Sequence, residues 1–389
     1  AHRPRRSNAW SWRSRAFRGL LYQVLAAAIV GGVAWFLWSN TLQNMRVRGI
    51  QSGFDFLQQQ AGFSIGESLF AFDSAESYLR AFAVGVTNTL RLALAGIVLA
   101  TVLGVMLGVG RFSRNLLVRS LCAAYVECFR NIPVLLQLLV WYLVLTEYLP
   151  GIQDAWKVGP LFLSKGGVNF PVPLWSPGQL GTLAGFAAGL VLAWAYRRWA
   201  RRAFEATGIP RSMFWWPLAL VAAATLLGWV AGGAPTALDV PVKGEFAVEN
   251  GGALTPEFLA LWLGLSLYTA AFIAEVVRSG IASVPGGQSE AAAALGLDRQ
   301  REIRLVLMPQ ALRVIIPPLT NQYLNLTKNS SLAVAIGYPD VVSIANTAMN
   351  QTGRAVECIA ILMAVYLTLS LATSAFMNWY NARVAIQER

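Results

Sequence analysis

The sequence carries little charge for its length. Asp, Glu, Lys and Arg make up 13% of its 389 residues, about half of the roughly 25% that is usual in soluble domains. Hydrophobic residues account for 56%, and several apolar runs approach or exceed the ~18 residues that indicate a transmembrane helix. The composition therefore argues against an ordinary soluble domain and predicts an all-α polytopic membrane protein.

Side chains that perform catalysis or bind metals are also scarce. The chain has one histidine and three cysteines. His2 lies near the start and the cysteines lie in or beside apolar segments, so they predict neither a disulfide framework nor a metal site. No glycine-rich loop with Lys and Ser or Thr, of the kind that cradles ATP phosphates, is present, and we find no nucleophile–base pair. The sequence gives little support to an enzyme and predicts no cofactor in this chain.

The formal net charge of +12 could indicate nucleic-acid binding, but the placement of the arginines argues against it. Most of them cluster beside apolar runs, as residues that orient membrane helices do, and no soluble module with interleaved basic and aromatic residues is present. Residues 1–18 are basic, and the apolar run after them has no small-residue cleavage site. We therefore interpret that run as an anchor and not a removed signal, with both termini in the cytoplasm.

The apolar runs predict about eight spans, each near the ~20 residues that a bilayer requires. The seventh is expected to be broken at residues 317–318 and again at 337–339, where prolines interrupt it. The predicted spans cover residues 20–38, 81–110, 116–149, 180–196, 214–230, 257–278, 312–344 and 353–380.

Residues 288–309 lie between two long apolar segments, but they are too polar and too short to cross a bilayer. Glu290 opens a run of strong helix formers that includes Ala291 and Ala292. The run predicts a helix about 10 Å long with a surface of nearly bare methyl groups. Such a helix is shaped to enter a groove on another protein. The alternative is an amphipathic linker that only joins two spans.

The residues around this short helix are expected to set its limits. The Pro-Gly-Gly sequence at 285–287 is predicted to break the preceding helix. Gly296 stands where the short helix would end in the left-handed conformation. Asp298 offers an N-cap for a second helical piece, which Pro309 is expected to end or kink. Arg299 follows the short helix, at the end where positive charge is favourable.

This stretch resembles the EAA loop of the permease subunits of ABC importers. The family pattern is Glu-Ala-Ala, then Gly, then an aliphatic residue and a final Pro. The resemblance implies that these residues, together with Arg299, contact a separate ATPase subunit. The matching residues are Glu290, Ala291, Ala292, Gly296, Val306 and Pro309.

Two further stretches resemble the polar amino-acid branch of these permeases. Residues 125–133 resemble a signature of that branch, with departures at Cys128 and at 131–132. The Lys-Asn-Ser-Ser-Leu sequence at 328–332 matches another of its patterns. The first span and residues 43–72 resemble the longer permeases for general L-amino acids or for glutamate, glutamine, aspartate and asparagine.

The resemblance implies a type I importer fold and uptake of polar L-amino acids across the bacterial inner membrane. It implies a second permease subunit in a heterodimer, an ABC ATPase dimer that binds ATP and Mg, and a periplasmic amino-acid-binding protein. Alternatives are a secondary transporter or channel that needs no ATPase, a membrane scaffold, and a permease of the same family for another solute.

On this interpretation the chain has four parts. Residues 1–80 contain the basic N-terminus, an extra span and a periplasmic loop whose aromatic side chains are expected to pack on the membrane surface. Residues 81–149 form the first part of the permease core. Residues 150–256 form an inserted helical hairpin with periplasmic loops. Residues 257–389 form the second part of the core, with the cytoplasmic coupling loop at 280–309.

Polar residues inside the seventh span are candidates for substrate binding, because a charge at that depth is costly unless it faces the bundle interior or water. The ammonium of Lys328 and nearby hydroxyls could hold an amino-acid carboxylate, and Glu127, Glu275 or Glu357 could meet the amino group. Alternatively, Lys328 pairs with a buried Glu and fixes helix packing, and Glu127 pairs with Arg130, worth only a few tenths of a kcal/mol. The candidate substrate-binding residues are Lys328, Asn329, Ser330, Ser331, Glu127 and Glu275.

Overall fold

The chain is described here by a computed structural model that covers residues 15–47, 49, 52–209, 211–244 and 248–384. Residues 1–14 of the expected basic N-terminus and residues 385–389 of the expected cytoplasmic C-terminus lie outside these ranges. Helices dominate the fold. In chain order they are α1 (Arg15–Val47), α2 (Tyr78–Gly110), α3 (Leu116–Asn131), α4 (Val134–Leu143), α5 (Gly178–Thr207), α6 (Trp215–Ala231), α7 (Pro256–Ala282), α8 (Gly286–Ala294), α9 (Arg299–Glu302), α10 (Met308–Asn329), α11 (Val341–Thr352) and α12 (Ala355–Val384).

Six helical segments of the described chain are long and apolar enough to cross a membrane. If α3 and α4, which are separated at Pro133, cross the membrane together as one span, the number rises to seven. Helix α6 is apolar but has only 17 residues. The expected number of about eight spans therefore becomes six or seven of full length. The six segments are Phe17–Val47, Tyr78–Gly110, Gly178–Thr207, Pro256–Ala282, Arg299–Ile336 and Ala355–Arg383.

The chain divides into two compact units. One comprises Ala1–Asn131 and Leu265–Arg389, and the other comprises Ile132–Gly264. The second unit contains residues 150–256, the stretch interpreted above as an inserted hairpin. Its helices α5 and α6 pack against each other along much of their length.

The loops of the second unit contain short strands that the sequence analysis did not predict. Strands β1, β2, β3 and β8 form an antiparallel sheet in that order, and the remaining strands form two pairs. Backbone groups outside helices need partners, and strand pairing supplies them here. The strands are β1 (Trp156–Val158), β2 (Leu161–Ser164), β3 (Gly167–Phe170), β4 (Val172–Pro173), β5 (Leu238–Asp239), β6 (Val242–Lys243), β7 (Val248–Glu249) and β8 (Gly252–Leu254).

In the first unit, α2 and α7 are in direct backbone contact. A Cβ atom placed on Gly104 would lie 2.6 Å from the side chain of Ile273, and one on Gly108 would lie 2.8 Å from the carbonyl oxygen of Ala274. These distances are too short for any larger residue without a shift of the helices. The glycines of α2 therefore allow close helix packing.

The Pro-Pro pair at 317–318 does not break the seventh span, contrary to the expectation. Both prolines lie inside α10, which is part of one helical run from Arg299 to Ile336. Each proline removes one backbone donor, and the surrounding turns and packed neighbours can maintain the helix in an apolar setting. The expected break at 337–339 is confirmed, because Gly337 has φ of +80° and ends the run.

The segment before α2 packs onto protein and not, as expected, with its aromatic side chains on the membrane surface. Phe56 is 1% exposed, and its ring centroid lies 5.7 Å from that of Tyr78. Its cluster includes Phe82 of α2 and Val341 of α11. Phe56 is therefore a core residue of the first unit, and Phe63 and Phe72 pack against the same cluster, whereas Phe54 is exposed.

Charged groups at the start of α12 hold this segment in place. The guanidinium of Arg354, which is buried, donates to the carbonyl oxygen of Gly53 at 2.8 Å and to Asp55 at 3.0 Å. The backbone N–H of Gly53 donates to Glu357 Oε1 at 2.7 Å. Glu357, which sequence reasoning offered as a group for a substrate amino group, therefore has a structural contact here.

We predict that Arg354→Gln loosens residues 52–77 because it removes the charge-assisted hydrogen bonds to Gly53 and Asp55. Such bonds are worth about 1.5–3 kcal/mol, so cleavage of this aromatic-rich segment by chymotrypsin should accelerate roughly tenfold or more. Arg114→Gln, an exposed arginine after α2, is the matched control. Equal cleavage rates in the two variants would contradict the anchoring role.

Candidate functional site

The short helix of the predicted coupling segment begins earlier than expected. Gly286 and Gly287 form the first turn of α8, which has nine residues, although they were predicted to break the preceding helix. That helix, α7, already ends at Ala282. Pro285 supplies the extended backbone before α8, and the N–H of Gln288 closes the first turn on the Pro285 carbonyl at 3.0 Å. Helix α8 is therefore about 13 Å long.

Gly296 ends this helix as predicted. Its φ is +71°, and two hydrogen bonds close the terminus, from Leu297 N to Ala292 O at 3.1 Å and from Gly296 N to Ala293 O at 2.9 Å. This is the Schellman arrangement, which requires a residue that tolerates the left-handed conformation. The prediction for Gly296 is confirmed by its geometry.

The chain turns back into the membrane after this terminus through a capped helix and a π turn. The Asp298 side chain accepts a hydrogen bond from Arg301 N at 2.8 Å, as expected for an N-cap. A π turn, Ile303–Leu307, joins α9 to α10. The expectation that Pro309 ends or kinks the helix is wrong, because Pro309 lies at the beginning of α10. Proline is tolerated there, since the first turn of a helix does not use its N–H groups.

A buried carboxylate fastens α8 to the helices that follow it. Glu302 is 8% exposed, accepts a hydrogen bond from Arg299 Nη1 at 2.6 Å and lies beside the Ser289 side chain. Gln310 Nε2 donates to Gln288 Oε1 at 3.2 Å. These contacts connect both ends of residues 288–310. The sequence analysis missed Glu302, whose only local signal is its position three residues after Arg299.

The opposite face of α8 is exposed. Of the Glu-Ala-Ala residues only Ala292 is buried, whereas Glu290 and Ala291 are exposed. Leu295, the residue just before Gly296, is 80% exposed. A large apolar side chain in that position is unusual for a surface loop of so few residues. The segment thus presents methyl groups and one leucine to whatever lies beyond it, and Leu295 joins the candidate residues.

Glu275 lies among arginines from three helices of the first unit. Arg111, at the end of α2, and Arg278 each contact its carboxylate at 2.5 Å, and Arg130 of α3 lies 4.0 Å away. Arg130 also lies over the ring of Phe272 at 5.3 Å. This cluster fastens α2, α3 and α7 together, and it engages the carboxylate that sequence reasoning offered to a substrate amino group.

The other acidic candidate, Glu127, is exposed and forms no ion pair with any residue that the structure describes. The alternative that it pairs with Arg130 within α3 is not observed, because Arg130 contacts Glu275 instead. The nearby signature residues are structural. Val126 is fully buried, and the Tyr125 hydroxyl donates to the Leu267 carbonyl at 2.8 Å.

The polar residues at the far end of α10 lie together on the last turn of the helix. Lys328 is exposed and has no ion-pair partner in the described ranges, so the alternative that it pairs with a buried Glu is not observed. Ser330 donates to the Thr327 carbonyl at 2.7 Å and Ser331 donates to the Lys328 carbonyl at 2.8 Å. Asn329 is partly buried. The hydroxyls therefore bond to the backbone, and the exposed Lys328 side chain lies beside them on the same turn.

A cavity of about 430 Å³ opens among α2, α7, α10 and α12. Its lining is mainly aliphatic, and its polar groups include Thr101 and Tyr323, whose hydroxyl oxygens lie 2.9 Å apart. None of the predicted substrate-binding residues belongs to its lining. Among the described residues, no three His, Cys, Asp or Glu side chains come together as metal ligands.

A bundle of membrane-length helices, with polar side chains on one of them and an exposed short helix tethered between two others, is the architecture of a membrane permease component. Residues 181–386 match the family described as the inner membrane component of binding-protein-dependent transport systems. The chain belongs to this family. The predicted fold class, an all-α polytopic membrane protein with a permease domain, is confirmed, and the protein is a multi-pass inner-membrane protein.

Relatives match along nearly the full chain. The general L-amino acid transport system permease protein AapQ of Rhizobium johnstonii is 47% identical, over 99% of this chain and 98% of its own. The glutamate/glutamine/aspartate/asparagine transport system permease protein BztB of Rhodobacter capsulatus is 38% identical, over 96% and 95%. A solved amino acid ABC transporter chain is 19% identical, with a TM-score of 0.46, over 79% of this chain and 95% of its own.

We predict that Glu302→Ala frees α8, because the carboxylate beside Ser289 is lost. The amides of residues 286–294 should therefore exchange with deuterium roughly tenfold faster or more. Glu290→Ala, an exposed acid on the same helix, should leave the exchange nearly unchanged. A similar effect of both variants would refute the specific tether.

Proposed function

We propose that this chain is the membrane-spanning subunit of an ATP-driven importer that moves polar L-amino acids from the periplasm to the cytoplasm. The observation that carries the proposal is the near full-length match to two relatives named as amino-acid permeases, at 47% and 38% identity. The exposed helix α8 supports the coupling part of the proposal. Uptake of labelled glutamate and glutamine by proteoliposomes that contain the assembled complex is the direct test.

The partners that we propose are those of an ABC importer. A second permease subunit pairs with this chain in a heterodimer, an ABC ATPase dimer binds ATP and Mg, and a periplasmic amino-acid-binding protein delivers the substrate. In this arrangement the chain itself is not catalytic and needs no cofactor. Purification of the complex in mild detergent, followed by identification of the proteins that co-elute, tests the whole set.

The orientation that we propose places α8 and both termini in the cytoplasm. Arg299, Arg301 and Arg304 follow α8 closely in the sequence, and the block of arginines at 197–202 lies in the last three turns of α5. Cytoplasmic loops of membrane proteins carry such an excess of arginine. This orientation brings the methyl face of α8 to the side on which the ATPase works.

In the mechanism that we propose, movement of the ATPase dimer reaches the membrane through α8. Its exposed alanines and Leu295 enter a groove on the ATPase, and the contacts of Glu302 and Gln310 transmit the displacement to α10. Because the helical run Arg299–Ile336 is not interrupted by Pro317 and Pro318, it can transfer the push along roughly 55 Å. The helices then rock between outward-open and inward-open states.

Lys328 is the residue that we propose for substrate recognition. Its ammonium lies near the end of the same helical run, is exposed and has no ion-pair partner in the described part of the chain. An amino-acid carboxylate can supply the opposite charge. For the amino group, exposed Glu127 is a better candidate than Glu275, which already contacts three arginines.

We predict that Gly296→Val uncouples ATP hydrolysis from uptake while the spans still insert. No atom lies within 4 Å of a Cβ at this position, so a side chain causes no steric clash. The free-energy cost of the substitution comes from the backbone conformation, whose φ is +71°. The left-handed conformation costs a residue with a side chain about 1–2 kcal/mol, and uptake per ATP should fall roughly five- to thirtyfold. Gly296→Asn is the matched control, since Asn tolerates this conformation. Normal transport by the Val variant would contradict the coupling role.

We predict that Lys328→Ala weakens substrate uptake and leaves ATPase docking intact. Loss of a charge-assisted bond costs about 1.5–3 kcal/mol, so the apparent affinity for the amino acid should fall roughly ten- to hundredfold. Lys328→Arg keeps the charge and should retain most of the uptake. Unchanged uptake kinetics in the Ala variant would favour a packing role.

A further inference from the structure

Helices α5 and α6 form a hairpin, and their backbones are in direct contact along most of its length. A Cβ on Gly185 would lie 2.4 Å from the Ala224 carbonyl oxygen, and one on Gly228 would lie 2.2 Å from that of Gly181. Contact continues as far as Gly189. Beyond Gly189 the facing side chains are larger, and the backbones of the two helices are no longer in contact.

A cavity of about 350 Å³ opens where the glycine contact ends. Its volume falls at the lower end of the roughly 300–1,000 Å³ typical of ligand pockets. The walls are apolar and aromatic, and one charged residue, Arg197, belongs to the lining. The other principal lining residues are Leu190, Trp194, Phe214, Leu218 and Val221.

The lining residues of α5 continue into a basic rim. Leu190, Trp194, Arg197 and Arg201 are spaced by three or four residues and therefore share one face of the helix. Three further arginines lie close by, Arg198, Arg202 and Arg211. The stretch from α5 to the end of α6 contains a single acidic residue, Glu205, and none of the five arginines forms an ion pair within the described residues.

Aromatic rings hold two of these arginines at the rim. The Arg198 guanidinium carbon lies 5.5 Å from the ring centroid of Trp194, and that of Arg211 lies 4.4 Å from the ring centroid of Trp199. Tryptophan is enriched where a helix meets the headgroup layer of the bilayer. The rim therefore combines uncompensated positive charge with residues typical of the lipid headgroup region.

We propose that this cavity is a binding site for an anionic diacyl phospholipid of the leaflet at the arginine-rich end of α5. A guanidinium binds phosphate through two parallel hydrogen bonds, so Arg197 and Arg201 hold the headgroup, while one acyl chain occupies the apolar cavity. Basic pockets between membrane helices bind anionic lipid headgroups in this way. The placement of this end in the cytoplasmic leaflet rests on the orientation given under the proposed function.

The test is lipid binding by the full-length complex in mild detergent, measured by native mass spectrometry. Phosphatidylglycerol and phosphatidylethanolamine with identical acyl chains are added separately, and glycerol phosphate is added as the soluble headgroup. We expect phosphatidylglycerol to bind at least tenfold more tightly than the other two. Equal binding of phosphatidylethanolamine, or binding of glycerol phosphate as tight as that of the lipid, would overturn the proposal.

Variants separate this site from a general effect of charge. Arg197→Gln/Arg201→Gln should weaken phosphatidylglycerol binding at least tenfold, and the matched double variant Arg114→Gln/Arg119→Gln should not. Leu218→Trp fills the cavity and should also weaken binding, whereas Arg197→Lys/Arg201→Lys should restore part of it. Equal losses in the two Gln pairs, or unchanged binding in the Leu218 variant, would refute the site. Binding is measured without transport, so its failure is distinguishable from a failure of amino-acid uptake.

Discussion

A segment that crosses a bilayer finds no water for its backbone groups, so each N–H and C=O must be satisfied within the protein. This constraint explains the long, nearly continuous helices of the chain. It also explains why Pro317 and Pro318 can lie inside α10 without ending it, because the loss of two donors affects only the adjacent turns. Where two helices approach closely, as α2 and α7 do at Gly104 and Gly108, only a residue without a side chain fits between them.

Departures from regular helix are informative in such a structure, because each one must be supported by other contacts. The left-handed residue Gly296, the π turn Ile303–Leu307 and the left-handed residue Gly337 all lie in or beside one helical run. π turns inside helices often mark functional sites. Here the turn separates α8 and α9 from α10, about 35 Å before Lys328 along the helix. The predicted coupling helix α8 and the candidate Lys328 therefore lie near opposite ends of the helical run Arg299–Ile336.

Much of this arrangement could be predicted from the sequence where local chemistry decides the outcome. The stop at Gly296 and the cap at Asp298 each depend on a few neighbouring residues. The sequence predictions fail where the preference of a residue type competes with the effect of its neighbours in the structure. Gly286 and Gly287 favour a break, but the first turn of a helix tolerates them after an extended Pro285.

Contacts between distant residues could not be predicted. The contact between Ser289 and Glu302 spans a turn whose path depends on the Schellman terminus and the N-cap together. The anchor between Arg354 and Asp55 joins residues about 300 positions apart. Neither pair has a sequence pattern, since neither has the three- or four-residue spacing of neighbours on a helix. The strands of the second unit were not predicted for a related reason, because pairing with another strand, not local propensity, defines segments of two to four residues. Two of these pairings join strands that lie on either side of α5 and α6 in the sequence.

The arginines illustrate the same limit, because identical residues serve different purposes. Arg111, Arg130 and Arg278 surround one carboxylate and join three helices, so their charge is largely compensated. Arg354 is buried and holds a loop. The block that includes Arg197 and Arg201 has no such acceptor in the described residues. A count of positive charges predicts membrane orientation equally from all of them, but of these three groups only the block with Arg197 and Arg201 has no carboxylate partner in the described residues. The hairpin of α5 and α6 therefore has a surface whose electrostatics differ from those of the cluster around Glu275.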